Sequence, residues 1–196
     1  MDKTVSLARS ELILGGQRSG KSRRAELLAQ GWLAQSPEHQ AVLIATAQSW
    51  DDEMRERIAR HRQDRARRVP GMRTVEEPLE LAKAVQQQSR PDTLVVVDCL
   101  TLWLTNWLMP ADILKQNEAL AQEERAQTAM LLIAIEKAAG PVVLVGNEIG
   151  LGVIPMGRAT RAFVDALGRL NQEVAQACAR VTFMAAGLPL TLKGQP

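Results

Sequence analysis

One octapeptide constrains this chain more than any other feature. Gly15-Gly16-Gln17-Arg18-Ser19-Gly20-Lys21-Ser22 fits the pattern G-x-x-x-x-G-K-[ST]. The pattern works in one local setting, a strand that ends in the loop and a helix that leaves it. Glycines let successive backbone N–H groups turn inward around a phosphate, and the following helix aims its positive end at the anion. Both flanks are present. An apolar run over 12–14 precedes the loop, and Ala25, Leu28, Ala29 and Trp32 fall at helical spacing within 22–34. The whole stretch Gly15 to Ser22 is therefore expected to bind a nucleotide. Lys21 is expected to reach the outer phosphates, and Ser22 to offer its hydroxyl to Mg²⁺.

The rest of the chain alternates in the same way. Apolar runs at 41–45, 93–97 and 142–145 read as strands, and the β-branched run at 93–97 has the pattern of a strand buried on both faces. A short strand is expected at 73–75. Helices are expected over 51–65, where acids open the segment and arginines close it, and over 78–88, with Pro78 at the start. Further helices are expected over 113–139, stopped by Gly140-Pro141, and over 158–180. The last two strands, 181–185 and 190–193, are too close for a helical crossover and should pair antiparallel. The expectation is an α/β, three-layer P-loop fold in one domain over 1–196, its sheet mostly parallel with a C-terminal antiparallel edge hairpin. Residues 1–10 read as a loose leader.

Composition excludes several classes. A length of 196 residues suits one core. The apolar stretch 94–109 is broken by Asp98 and Asn106 and is too short to span a membrane, and no segment has the pattern of a signal peptide, so a cytoplasmic protein is expected. Cys99 and Cys178 sit in apolar surroundings and read as buried thiols. Net charge is only +2, yet eight arginines lie between Arg55 and Arg73 against Glu56 and Asp64. Such a run is a solvated face, a nucleic-acid patch or a lure for polyphosphate. The nucleic-acid reading lacks stacking aromatics, since there is no tyrosine and only two phenylalanines.

Within this frame a few side chains carry chemistry. Asp98 ends the strand Val95-Val96-Val97, where a metal-orienting acid belongs beside a phosphate loop; alone it would read as a turn cap. Thr46, Ala47 and Gln48 follow the second strand at the sheet's carboxyl end, where such sheets bind ligands. Glu76 is a weaker nucleotide contact, equally a helix-start acid. Met54, Ile58 and His61 share one helix face. Arginines beside His61 favour its neutral form, which suits a nucleophile, a base or a half-buried structural ring. His39 lies in a polar connection and receives no role. Asn147 and Glu148 follow a strand end, and Gly150 and Gly152 make their loop flexible: a substrate closure or a surface loop. Trp103 and Trp107, spaced i and i+4, read as interface or as core.

Together these blocks resemble the bifunctional adenosylcobinamide kinase / adenosylcobinamide-phosphate guanylyltransferase family of cobalamin biosynthesis. The loop with Arg18 and Ser19 looks like the family's G-G-x-R-S-G-K-S. Ile44-Ala45-Thr46-Ala47-Gln48, Asp51-Asp52-Glu53-Met54 and Arg57-Ile58 look like its second block. Asp98-Cys99-Leu100-Thr101 with Thr105-Asn106 look like its acid-ended strand, and Asn147-Glu148-Ile149-Gly150-Leu151-Gly152-Val153-Ile154-Pro155 is similar to its N-E-V-G-x-G-[IV]-V-P. Arg158, Gly168-Arg169 and Asn171-Gln172 match the family's residues C-terminal to that block. Met156-Gly157 departs from the family, and Arg60 stands where some members have a second histidine.

The resemblance implies two reactions. ATP or GTP phosphorylates adenosylcobinamide. GTP then guanylylates His61, which passes the group to adenosylcobinamide phosphate. Lys21 would serve phosphoryl transfer, Ser22 and Asp98 would hold Mg²⁺, and Arg62 and Arg65 are expected at the phosphates. The partners implied are the corrinoid substrate and two more copies of the chain, a homotrimer, with no nucleic acid. The alternatives are a P-loop kinase without the guanylyl step and a GTP switch, although a switch would need N-K-x-D where Gly146-Asn147-Glu148-Ile149 stands.

Overall fold

The structure is a computed structural model that describes residues 6–48, 52–108, 118–152 and 155–195, the side chains of 53, 54, 57, 58, 61 and 118–121 excepted. In chain order the elements are β1 (Ser10–Gly15), α1 (Lys21–Leu33), β2 (Gln40–Ala45), α2 (Asp52–Arg68), β3 (Arg73–Glu76), α3 (Leu81–Gln88) and β4 (Thr93–Asp98). They continue with α4 (Leu100–Leu108), α5 (Glu118–Glu136), β5 (Val142–Val145), α6 (Arg158–Ala177), β6 (Arg180–Ala185) and β7 (Leu188–Lys193). The strands form one sheet in the order β3-β2-β4-β5-β1-β6-β7. Every pairing is parallel except the terminal β6–β7 hairpin.

Strand periodicity sorts the apolar side chains into two layers. Leu12, Leu14, Val95, Val97 and Leu144 face one way, against residues of α3 to α6 that include Leu81, Trp103, Leu131 and Leu167. Ile13, Leu43, Leu94, Val96 and Val143 face the other way, against Ala25, Leu28 and Ala29 of α1. Each fully buried aliphatic side chain contributes roughly 1.5–3 kcal/mol. The central strands are apolar on both faces, so the sheet is stable only when covered on both.

Several boundaries differ from the sequence reading, each for a local reason. Helix α3 begins at Leu81 rather than Pro78. The carbonyl of Pro78 accepts from Asn106 Nδ2 (3.0 Å) and that of Leu79 from Trp103 Nε1 (2.8 Å), so this backbone serves α4 instead of a first helical turn. The Glu77 carboxylate takes the amides of Leu79 and Glu80 (3.0 and 2.8 Å). Helix α4 has no counterpart among the sequence expectations. It is apolar on nearly every side, which hides helical periodicity. Trp103 and Trp107 are core residues, 0% and 9% exposed.

Helix α5 stops at Glu136, and the Ser89 hydroxyl takes the amide of Ala139 (2.8 Å); residues 113–117 of that expectation lie outside the described residues. Helix α6 stops at Ala177 because Arg180 already belongs to β6, and Ser10 Oγ takes the amide of Ala179 (2.9 Å). The free thiols Cys99 and Cys178 are buried, and that burial pushes their pKa up to about 11 and about 12.

Near the start of β1 lies a charged group that sequence reading passes over. Glu11 of β1 is 0% exposed. Its carboxylate accepts from Arg24 Nε (2.8 Å) and Thr182 Oγ1 (2.8 Å), and it pairs with Arg180 Nη1 (3.5 Å). Removing one member of a buried ionic network strands the others. Glu11→Ala is expected to destabilise the fold by about 3–5 kcal/mol. Urea unfolding monitored by tryptophan fluorescence measures this, and an unchanged midpoint would show that the network contributes little.

Candidate active site

The phosphate loop sits where β1 hands over to α1, and its path is fixed by close contacts. Gly15 has φ +151°, and a Cβ there would lie 2.4 Å from the Met184 carbonyl oxygen and 2.6 Å from Ser19 Oγ. Gly20 has φ +104° and packs on Gly187 in the β6–β7 turn, whose amide donates to the Ser19 carbonyl (3.0 Å). Only glycine fits both demands at Gly15. Arg18 takes a left-handed conformation at φ 55°. Gly16, Gln17 and Arg18 are exposed, and Ser19 and Gly20 are half-buried.

Lys21 opens α1 and is 8% exposed. Its ammonium folds back over the loop and donates to the carbonyls of Gly15 (3.0 Å) and Gly16 (2.6 Å). Burial lowers the pKa of this ammonium from the ordinary lysine value, while neighbouring Cys99 and Asp98 act in the opposite sense. A partly desolvated cation at the loop is primed for an anion that would complete its neutralisation.

Asp98 ends β4, and its carboxylate lies 3.5 Å from Arg65 Nη2. Ser22, Glu26, Arg65 and Asp98 share the lining of a cavity of about 10 Å³, room for one water molecule. The structure thus brings together the loop serine, the strand-end acid and one arginine of the basic run. Arg62 is paired instead with Glu76 at the half-exposed rim. The two side chains that sequence reading assigns separately to the nucleotide contact each other.

Thr46, which sequence reading makes a nucleotide contact, is 0% exposed. Its hydroxyl donates to the Cys99 carbonyl (2.7 Å) and accepts from the Cys99 amide (2.9 Å). It straps the carboxyl ends of β2 and β4 together and so sets the position of Asp98. Ala47 and Gln48 follow it and are half-buried. His39 stacks on Trp32, ring centroids 3.6 Å apart. His61 belongs to α2, four residues before Arg65, and its side chain lies outside the described residues. The side chains of Met54 and Ile58, expected on the same helix face, lie outside them too.

Three residues without an assigned role organise this edge. Asn106 Nδ2 donates to the Thr46 carbonyl (2.8 Å), Thr101 Oγ1 accepts the Asn147 amide (2.8 Å), and Asn171 Nδ2 donates to the Asn147 carbonyl (3.1 Å). All three are buried. The available sequence signal was a polar residue inside an otherwise apolar helical stretch, since such a group must find a partner.

The arrangement can cradle a polyphosphate between a glycine loop, a buried ammonium and an oxygen pair. Comparison with known proteins gives the same sense. The family model described as cobinamide kinase / cobinamide phosphate guanyltransferase matches residues 11–192. The chain is 47% identical over 187 residues to the bifunctional adenosylcobalamin biosynthesis protein CobP of Pseudomonas aeruginosa, covering 95% of this chain and 98% of that one. It is 36% and 35% identical to the proteins named CobU with the same description in Escherichia coli and Salmonella typhimurium, each match covering 93% of this chain and 98% of the relative. With a matched region that runs from β1 to β7 and includes the phosphate loop, Asp98 and the Asn147 loop, the chain belongs to the cobinamide kinase / cobinamide phosphate guanyltransferase family.

Proposed function

We propose that one cleft at the carboxyl edge of the sheet serves both reactions of this cobalamin-biosynthesis enzyme, phosphorylation of adenosylcobinamide and guanylyl transfer to its phosphate. The observation that carries this reading is the convergence of Lys21, Ser22, Asp98 and Arg65 around a single phosphate loop. In the first reaction the γ-phosphoryl group of ATP or GTP passes to the corrinoid hydroxyl. The backbone amides of the loop and the Lys21 ammonium stabilise charge on the transferring group. Gln17, Arg18 and Ser19 shape the loop mouth, with Ala47 and Gln48 across the edge.

In the second reaction His61 attacks the α-phosphorus of GTP, pyrophosphate leaves, and the guanylyl group then moves from His61 to a phosphate oxygen of the corrinoid. Two displacements of moderate difficulty replace one hard one. A Ser22 hydroxyl and an Asp98 carboxylate facing one small cavity are hard oxygen donors of the kind Mg²⁺ accepts, with phosphate oxygens and water completing its shell. Bound there, Mg²⁺ would neutralise charge on the phosphates.

The two activities are assayed separately with the purified chain: adenosylcobinamide phosphate from adenosylcobinamide and ATP, and adenosylcobinamide-GDP with pyrophosphate from the phosphate and GTP. Product in the first assay alone would leave a P-loop kinase without the guanylyl step. Arg65 supplies a sharper test. Its guanidinium is nearly buried, pairs with Asp98 and lines one small cavity with Ser22. Loss of a charge-assisted hydrogen bond worth about 1.5–3 kcal/mol should raise the GTP dissociation constant of Arg65→Ala tenfold or more. Calorimetric titration at constant salt checks this, and an unchanged constant removes Arg65 from the phosphates.

The working form in this reading is a cytoplasmic homotrimer. Among the described residues no helix is long and apolar enough to cross a membrane. Leu188, Leu190 and Leu192 lie on the edge strand β7 at 71%, 58% and 58% exposure, an apolar row suited to contact between copies. Light scattering on the eluting protein measures the assembly mass directly.

A further inference from the structure

Strand β5 lies between β4 and β1 in the sheet. The chain leaving its tip therefore runs between Asp98, at the end of β4, and the phosphate loop that follows β1. The first residues there are Gly146, Asn147 and Glu148. The Glu148 amide donates to the Gly15 carbonyl (3.1 Å), the same oxygen that receives Lys21 Nζ (3.0 Å). Glu148 thus starts beside the ammonium that handles the outer phosphates.

Its carboxylate is held from both sides. Gly150 N–H donates to Oε1 (2.9 Å), and Asn171 Nδ2 approaches Oε2 (3.4 Å). Asn171 is 4% exposed and also ties down the Asn147 carbonyl, while its own Oδ1 is buried without a hydrogen-bond partner. Thr101 of α4 holds the Asn147 amide (2.8 Å). The segment is thus anchored to α4, to α6 and to the phosphate loop, although Ile149 and Leu151 just beyond it are exposed at 40% and 77%. A surface connection has no need of three anchors. A half-buried carboxylate that must meet a reacting atom does.

We propose that Glu148 is the general base of the phosphoryl-transfer step. Its carboxylate takes the proton of the corrinoid hydroxyl as that oxygen bonds to the γ-phosphorus. The bond from the γ-phosphorus to the β,γ-bridging oxygen breaks, the nucleoside diphosphate leaves, and the proton passes from Glu148 to water. The proposal rests on the reading of this chain as a cobinamide kinase. The other groups at the edge are committed elsewhere. Lys21 carries only donors, Asp98 lies against Arg65 beside Ser22, and His61 is assigned to the other reaction. Guanylyl transfer needs no such base, because its acceptor is already a phosphate oxyanion at neutral pH.

The test is Glu148→Gln, which keeps the side chain's size and can still accept the Gly150 amide. Its kinase kcat should fall by about 10²-fold or more, the usual contribution of a positioned base, while KM for the nucleotide holds. Guanylyl transfer to separately prepared adenosylcobinamide phosphate should continue, which also shows that the variant is folded. Glu148→Asp, which retains a shortened carboxylate, should recover part of the kinase rate. Undiminished kinase turnover in Glu148→Gln overturns the proposal. Equal loss of both reactions also overturns it, assigning Glu148 to the architecture of the loop. A wild-type chain that makes no adenosylcobinamide phosphate overturns the kinase reading itself, a result distinct from either.

Discussion

His61→Ala should take up no label from GTP carrying α-³²P, whereas the unaltered chain should hold an acid-labile, alkali-stable label after denaturation. That stability pattern is the signature of a phosphoramidate, the bond a ring nitrogen makes with phosphorus. Net guanylyl transfer should fall by a factor on the order of 10⁴ or more, the scale on which loss of a covalent nucleophile is felt. Phosphorylation of adenosylcobinamide, in the proposed reading, is a direct transfer with no covalent enzyme intermediate and should persist. The reason lies in charge. His61 stands four residues before Arg65 on α2, and Arg65 pairs with Asp98 and shares a small cavity with Ser22 of the phosphate loop. Guanidiniums on the same helix would offset the negative charge of departing pyrophosphate. Label retained by His61→Ala would move the nucleophile elsewhere. An unlabelled wild type that still binds GTP would remove the guanylyl step from this reading.

Lys21→Met should be the more damaging change, because in the proposed reading both reactions draw on the same phosphate loop. A single preorganised donor aimed at developing charge is worth about 10²–10³ in rate, and kinase kcat should fall by at least that much. The ammonium also holds the carbonyls of Gly15 and Gly16, so nucleotide affinity should weaken with it. A thermal melt close to that of the wild type would separate loss of chemistry from loss of fold. A pH series adds a signed test. Burial depresses the Lys21 pKa, with Cys99 and Asp98 opposing it. The charged, active form is therefore complete at low pH and is lost as pH rises through that depressed value. In the wild type, the alkaline fall in kcat/KM, which reports the free enzyme, should begin below the range of an exposed lysine. The residual activity of Lys21→Met should lack that limb. A variant with wild-type kcat would end the assignment.

Much of this architecture is legible in the sequence. Strand β5 occupies the expected residues, β4 and β6 each extend the expectation by one, and the antiparallel hairpin pairs as its short connection requires. Runs such as Val95-Val96-Val97 admit one solution, a strand covered on both faces. Helix α4 is hidden for the same reason that makes it a good core element, since a segment apolar all round carries no period. The start of α3 is misplaced because the carbonyls of Pro78 and Leu79 are claimed by side chains that lie 28 and 24 residues further along.

The site divides along the same line. The loop from Gly15 to Ser22 between β1 and α1, Asp98 at the end of β4 and the basic run on α2 stand on the elements where the sequence places them, because each position is set by a local pattern of strand, loop or helix. Which groups meet was decided only in three dimensions. Thr46 turned inward to strap Asp98, Arg62 met Glu76, Arg65 met Asp98, and Glu148 came to share the Gly15 carbonyl with Lys21. Those pairings join residues that the chain keeps far apart. They arise because β2 lies between β3 and β4 and β5 lies between β4 and β1, and strand order is a property of the packed sheet that no local sequence pattern encodes.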